Sequence, residues 1–390
     1  MTDTTMATVY SRNPVSVFVE DHPVSVFFAA ALTISWGLWT LAFVGLGGRE
    51  TFTQGMMIPG AFGPALAAAL VTYLRGDSLT AWAAQIVDWR VSPRWYLLAL
   101  GLPILAVSGA STLYLSGGGI VSTTRITRML PAVPVLLLVN AVLGGGNEEP
   151  GWRGFALPHL TTQYSPFASS LIIGVVWAVW HFPLFFLGAP RLLSGSLPLY
   201  TILVTAFSVL LTWAYESTGG SVMLAMLFHA AINTSMSFVP IPRDAIDAYG
   251  LLVDLAIVTA VLFLTLVVLA YDAHCDGGVF DLEFRIPTAV TAVIALAGFP
   301  LSVAAFTVMP DQMATHWTVT SSLTLVPDET LPARLALAAI PAVTFAIFIG
   351  GKSLLQRFRG RVRLIFNVVL IGLLGLLVAT HLFVLLGNGF

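Results

Sequence analysis

Apolar residues run through this chain in long, nearly unbroken stretches separated by short polar breaks. Stretches at 24–45, 56–74, 95–115, 129–146, 167–188, 197–215, 221–239 and 249–271 approach the length of about 20 residues that crosses a bilayer, and three more follow at 287–308, 333–350 and 364–386. Lipid offers no partner for backbone amides, so a spanning segment is a helix or part of a closed barrel. Barrel strands alternate over roughly ten residues, and the continuous runs here predict helices instead. Segment 81–95 mixes Trp82, Ile86, Val87, Trp89 and Trp95 with Asp88, Arg90 and Arg94, which predicts an amphipathic element lying at the membrane interface. The expected fold is therefore an all-α polytopic membrane protein. Residues 1–23 read as a short solvated tail, 24–271 as a bundle of eight helices, 272–286 as a polar linker with Asp272, Asp276, Asp281, Glu283 and Arg285, and 287–390 as a three-span membrane domain.

Composition strengthens this reading. Apolar residues make up 57% of the chain and charged residues 9%, far below the roughly 25% charged of soluble proteins. A net charge of −2 provides no basic face for phosphates, so a nucleic-acid partner is not expected and the lipid bilayer is the expected surrounding. The single cysteine, Cys275, excludes an internal disulfide and a multi-cysteine metal cluster. The first twenty-odd residues lack the basic start and short apolar core of a signal peptide. Lys352, Arg357, Arg359, Arg361 and Arg363 crowd one short loop, which the positive-inside rule puts in the cytoplasm. Counting back, eleven of the 17 basic residues fall inside and six outside. The N-terminus is then expected to be cytoplasmic, in the plasma membrane.

Against this background a few polar side chains stand out. The stretch from Asn140 to Pro158 carries Glu148 and Glu149 directly after Gly144, Gly145 and Gly146. A carboxylate near the bilayer interior costs roughly 2.5–3.5 kcal/mol on the insertion scale and normally serves a function. Pro150 favours the first turn of a helix, which predicts that a helix restarts here. Glu149 and Arg153 then lie four apart and can pair, while Glu148, turned about 100° away, is left without a local partner. His181 lies within the fifth stretch, and His229 and Asn233 share one face of the seventh. Each cluster alone has a structural explanation: a helix-end ion pair, a histidine bonded to a neighbouring helix, or polar helix packing beside Ala230, Ala231 and Ser235. Together they are the parts for activating water. Glu148 can take a proton while an imidazole or amide donates to the oxyanion. Alternatively Glu148, His181 and His229 match a three-ligand zinc centre with a fourth position for water. HExxH is absent, so the soluble zincin motif is not the route.

The succession EExxxR (Glu148, Glu149, Arg153), an aromatic residue ahead of His181, and HxxxN (His229, Asn233) resembles the CPBP intramembrane proteases, which include the CAAX prenyl endopeptidases and proteins linked to bacteriocin processing and immunity. The resemblance covers roughly residues 24–271. It implies an eight-helix intramembrane protease bundle with a cavity open within the membrane, and an endopeptidase acting on a membrane-associated protein or peptide. It further implies Glu148 as the catalytic carboxylate, with Glu149, Arg153, His181, His229 and Asn233 completing the site. Trp177 stands where the family's usual phenylalanine precedes the histidine. Zinc dependence is left open by the resemblance, as is a metal-free mechanism.

Asp254, inside the eighth stretch, has no counterpart in these motifs and is expected to be structural or to line the cavity. In the segment 309–332, expected as an exofacial loop, Pro310-Asp311, His316-Trp317 and Pro327-Asp328 weakly resemble the signature of a small membrane domain of peptide-toxin immunity proteins. This leaves a second functional reading, a non-catalytic immunity protein that sequesters a peptide in the same cavity. A proton-coupled transporter using Glu148 and Asp254 is disfavoured, because two matching halves with interrupted spans are not evident.

Overall fold

The computed structural model describes residues 14–45, 54–116, 123–187, 197–239, 243–274, 278–280, 312–319 and 325–332, with residues 343, 344, 346–348, 350, 351 and 370. The expected spans at 287–308 and 364–386 lie outside the described residues apart from residue 370, as does most of 333–350. Helices α1 (Pro14–Asp21), α2 (Pro23–Gly45), α3 (Gln54–Ala61), α4 (Gly63–Leu74), α5 (Leu79–Ala84) and α6 (Pro93–Ser116) lead into α7 (Thr123–Met129) and α8 (Val133–Leu143). After α9 (Glu149–Gly151) and α10 (Leu157–Thr161) come α11 (Pro166–Trp180), α12 (Leu197–Ser217), α13 (Val222–Ser237) and α14 (Arg243–His274). Among the described residues, five helical segments are long and apolar enough to cross a membrane, and shorter apolar helices fill the space between them. The protein is an all-α polytopic membrane bundle, with one small addition.

That addition is a two-stranded antiparallel hairpin, β1 (Gln312–Val319) paired with β2 (Leu325–Pro332), within the segment expected to be a plain loop. Backbone irregularities flank His316, which pairs with Glu329, while Trp317 pairs with Pro327. Two further expectations change. Residues 14–21 of the supposed solvated tail form α1, with Val19 buried. The second span is two helices, because Pro64 removes an amide donor just after Phe62 and restarts the chain as α4.

Helix ends follow local chemistry. Ser78, Ser165 and Ser221 each accept from the backbone N–H three residues on, capping α5, α11 and α13. Helix α12 is buried almost throughout and packs against α11, α13 and α14. Helix α8 buries none of its side chains and turns Val135, Leu138, Val139 and Val142 outward, as a lipid-facing helix should. Between α2 and its neighbours, polar groups tie backbones together where no water can. Trp36 Nε1 donates to Trp180 O, Trp39 Nε1 to Met57 O and Ser35 Oγ to Gly60 O. Gly174 lets α11 close on α12, since a Cβ there would stand 2.7 Å from Thr205 Cα. These contacts fix α11 and α13 around the turn that follows α8.

Candidate active site

Helix α8 ends at Gly144, and Gly145 adopts φ +114°, a conformation strained for any residue with a Cβ. The chain then re-enters helix through a tight turn at Gly146–Glu148 and α9, with Pro150 in the first turn, and continues as a π-helical turn at Trp152–Ala156. Such turns recur at functional sites, because the wider ring interrupts the regular ladder. Residues 147–157, in the break between the apolar stretches 129–146 and 167–188, are buried with the single exception of half-buried Gly154. The acids of this turn consequently lie inside the bundle.

Glu149 and Arg153 pair as their spacing predicts, Nη1 to Oε2 at 3.0 Å, and both side chains are wholly buried. The other end of the guanidinium donates to Ser208 O and Ser208 Oγ on α12, at 3.2 and 3.0 Å. Glu149 has a second partner that spacing could not reveal, since its Oε1 accepts from His229 Nδ1 at 2.7 Å. A carboxylate can only accept, so Nδ1 carries the proton and Nε2 is the free position of the His229 ring. Asn233, one turn on, donates through Nδ2 to Gly144 O at 2.6 Å. His229 Nε2 and Asn233 Nδ2 converge on Gly145, where an added Cβ would stand 2.5 Å from each.

Glu148, expected to lack a local partner, has one. Its Oε2 accepts from Trp152 Nε1 four residues on at 3.3 Å, and from Trp177 Nε1 of α11 at 2.8 Å. Its Oε1 accepts no hydrogen bond from the described residues, and the residue retains 5% exposure. His181 donates Nδ1 to Trp177 O at 2.8 Å, and its ring meets Tyr200 of α12 edge-on with centroids 5.2 Å apart. The structure thus brings Glu148, Glu149, Arg153, His181, His229 and Asn233 to one end of α8, walled by α11, α12 and α13. Asp254 is buried on α14.

Sequence reasoning did not assign Trp152, Trp177, Ser208 or Gly145 to the site. Trp152 was legible at the i,i+4 spacing from Glu148, the same rule that paired Glu149 with Arg153. Trp177 and Ser208 reach the turn across 29 and 55 residues of sequence, and no local pattern announces such contacts. Among the described residues no group of three or more His, Cys, Asp or Glu side chains is disposed to hold a metal ion.

The comparisons with known proteins fall on this cluster. Residues 130–235, which include all six side chains, match the family described as Type II CAAX prenyl endopeptidase Rce1-like. This part of the bundle is thus similar to a CPBP-family protease domain. A CAAX prenyl protease 2 of Methanococcus maripaludis is 30% identical over 164 residues, which are 40% of this chain and 57% of that protein. The chain thus spans little more than half the length of that relative. The matched span starts at the foot of α8 and ends within α13, where the site residues lie.

Proposed function

We propose that the protein is an intramembrane endopeptidase that hydrolyses a peptide bond of a membrane-associated protein or peptide, with Glu148 activating water. One observation carries this reading: a buried carboxylate is held by two indole N–H groups through a single oxygen, while its other oxygen accepts from no described residue. A carboxylate whose only task was structural would be matched at both oxygens, as Glu149 is.

In the proposed reaction Glu148 Oε1 takes a proton from water, and the resulting hydroxide attacks the scissile carbonyl carbon. The second N–H of the Asn233 amide donates to the oxyanion, beside the His229 ring that Glu149 holds through Nδ1. Glu148 then returns the proton to the amide nitrogen as the C–N bond breaks. Glu149 and Arg153 hold His229 and the turn in place. His181 is fixed through Nδ1 by Trp177 O and packs edge-on against Tyr200. Exclusion of bulk water strengthens each of these interactions. No step is routed through zinc, which Glu148, His181 and His229 would hold in a zinc-assisted version, where it would polarise the bound water.

The test uses purified protein in proteoliposomes and a panel of internally quenched peptides. The panel includes peptides with a prenylated C-terminal CAAX sequence, the class named for the Methanococcus relative. The native protein should cleave at least one peptide, and Glu148→Gln should lose cleavage while keeping its thermal transition. Full activity in Glu148→Gln would overturn the assignment. Metal content, and activity after chelation, separate the metal-free mechanism from a zinc-assisted one. We further propose plasma-membrane residence with a cytoplasmic N-terminus. With eleven spans this orientation puts the C-terminus outside, so a C-terminal alkaline phosphatase fusion should be active in cells. An inactive phosphatase paired with a bright C-terminal fluorescent-protein fusion would reverse the topology.

A further inference from the structure

Trp177 touches more of the cluster than any of the six residues themselves. Its indole N–H donates to Glu148 Oε2 at 2.8 Å, and its backbone carbonyl accepts from His181 Nδ1 at 2.8 Å. The Arg153 guanidinium carbon lies 5.6 Å from its ring centre, and the His229 ring meets it edge-on with centroids 5.0 Å apart. The side chain is 3% exposed. Trp177 therefore stands between the carboxylate and both histidines, on a helix that Gly174 and Ser170 lock against α12.

We propose that Trp177 is a positioning residue, whose indole N–H fixes the Glu148 carboxylate with Oε2 anchored and Oε1 turned toward water. The inference rests on the reading of Glu148 as the base. The geometry carries it. A carboxylate rotates freely about its last bond unless one oxygen is anchored, and a single short N–H bond leaves the choice of face open. The Trp152 bond at 3.3 Å arrives from the carboxylate's own segment, whereas that of Trp177 comes from a separate helix. Two donors from different elements fix both the torsion and the plane, so the free oxygen always points the same way. A phenylalanine would keep an aromatic ring under Arg153 and beside His229 but provide no donor. The indole nitrogen is thus the part of the side chain that packing does not require.

The proposal makes a specific demand: loss of that N–H must lower turnover without weakening substrate binding. Trp177→Phe is compared with Trp39→Phe, Glu148→Gln and the double variant Trp177→Phe/Glu148→Gln. Trp39 is as deeply buried, and its N–H donates to Met57 O rather than to the site, so it reports the cost of losing a buried indole and its hydrogen bond away from Glu148. With the cleaved peptide of the panel, kcat of Trp177→Phe should fall about tenfold or more, as for loss of a hydrogen bond to a charged group, with KM within about twofold. Trp39→Phe should leave both constants unchanged. Rates of Trp177→Phe equal to those of Trp39→Phe, beside an inactive Glu148→Gln, would overturn the positioning role and leave the base assignment intact. A fully active Glu148→Gln would sink the base assignment itself.

A second measurement needs no substrate. In protein labelled with ¹⁵N-tryptophan, the indole proton signal lost in Trp177→Phe should lie downfield and move upfield in Glu148→Gln, where a neutral amide replaces the carboxylate. The signal lost in Trp39→Phe should not move. An unmoved Trp177 signal in Glu148→Gln refutes the contact, and with it the proposal.

Discussion

A charge buried in a membrane bundle is stable only where an opposite charge and hydrogen bonds compensate it, and Arg153 shows how narrow that margin is. It donates to both oxygens of Glu149 and to Ser208, and it has no measurable exposure. Arg153→Ala leaves Glu149 with His229 alone, inside apolar surroundings. Removing one member of a buried pair typically costs about 3–5 kcal/mol, because the other charge stays behind unmatched. The thermal transition of Arg153→Ala in detergent should therefore fall by many degrees, and cleavage with it. Arg153→Lys keeps the charge but cannot reach Glu149 and Ser208 together, so it should restore only part of the loss. Equal stability of Arg153→Ala and native protein would contradict the network. His229→Ala removes a different partner of Glu149. It should lower cleavage more than a hundredfold while costing less stability than Arg153→Ala, because the ion pair remains intact. Kinetics and melting curves on one preparation distinguish the two.

At the scale of the element, the turn after α8 depends on backbone approaches that side-chain chemistry alone does not specify. Gly145 has φ +114° and sits where a Cβ would meet His229 Nε2 and Asn233 Nδ2 at 2.5 Å. Gly219, with φ +69°, has nothing within 4 Å of such a Cβ. Gly219→Ala therefore suffers only the conformational penalty of about 1–2 kcal/mol, whereas Gly145→Ala adds displacement of two site residues. Gly145→Ala should lose cleavage almost completely, and Gly219→Ala should retain it; equal activities would show that the approach at Gly145 is unimportant. The contrast also bears on what could be read in advance. The ion pair between Glu149 and Arg153, and the helix restart at Pro150, follow from spacing within one turn of helix. The link from His229 to Glu149 and that from Trp177 to Glu148 cross 80 and 29 residues, and depend on how α11 and α13 pack. Helix positions were legible because about 20 apolar residues and a polar break mark each crossing. The split between α3 and α4 was obscured because a proline within an apolar run does not interrupt hydropathy. The strands β1 and β2 were missed because a polar stretch between spans carries little alternation, and Pro327 argues against a strand except at an edge.

For the whole molecule, the question is where the bundle ends. The sequence divides the chain at the polar patch 272–286, yet two residues of that patch are built into the bundle. Asp272 is buried, and its carboxylate accepts from the backbone N–H of Val279 and Phe280 at 2.9 and 3.0 Å, folding the chain back at the foot of α14. Phe280 is 2% exposed and meets Phe167, in the first turn of α11, edge-on with centroids 5.7 Å apart. Burial of a phenylalanine contributes roughly 1.5–3 kcal/mol, and hydrogen bonds to a buried carboxylate add to this. Because α11 carries Trp177 and leads to His181, the clasp secures the helix that fixes the site. Two truncations follow from this. A chain ending at residue 286 keeps the clasp and should retain both cleavage of the panel peptide and a thermal transition within a few degrees of the full-length protein. A chain ending at residue 271 loses Asp272 and Phe280 and should melt clearly lower. Asp272→Asn in the full chain isolates the carboxylate and should fall between them. If the chain ending at 286 is inactive although it melts like the full protein, residues 287–390 take part in the reaction. If both truncations melt alike, the clasp does not bind α14 to α11.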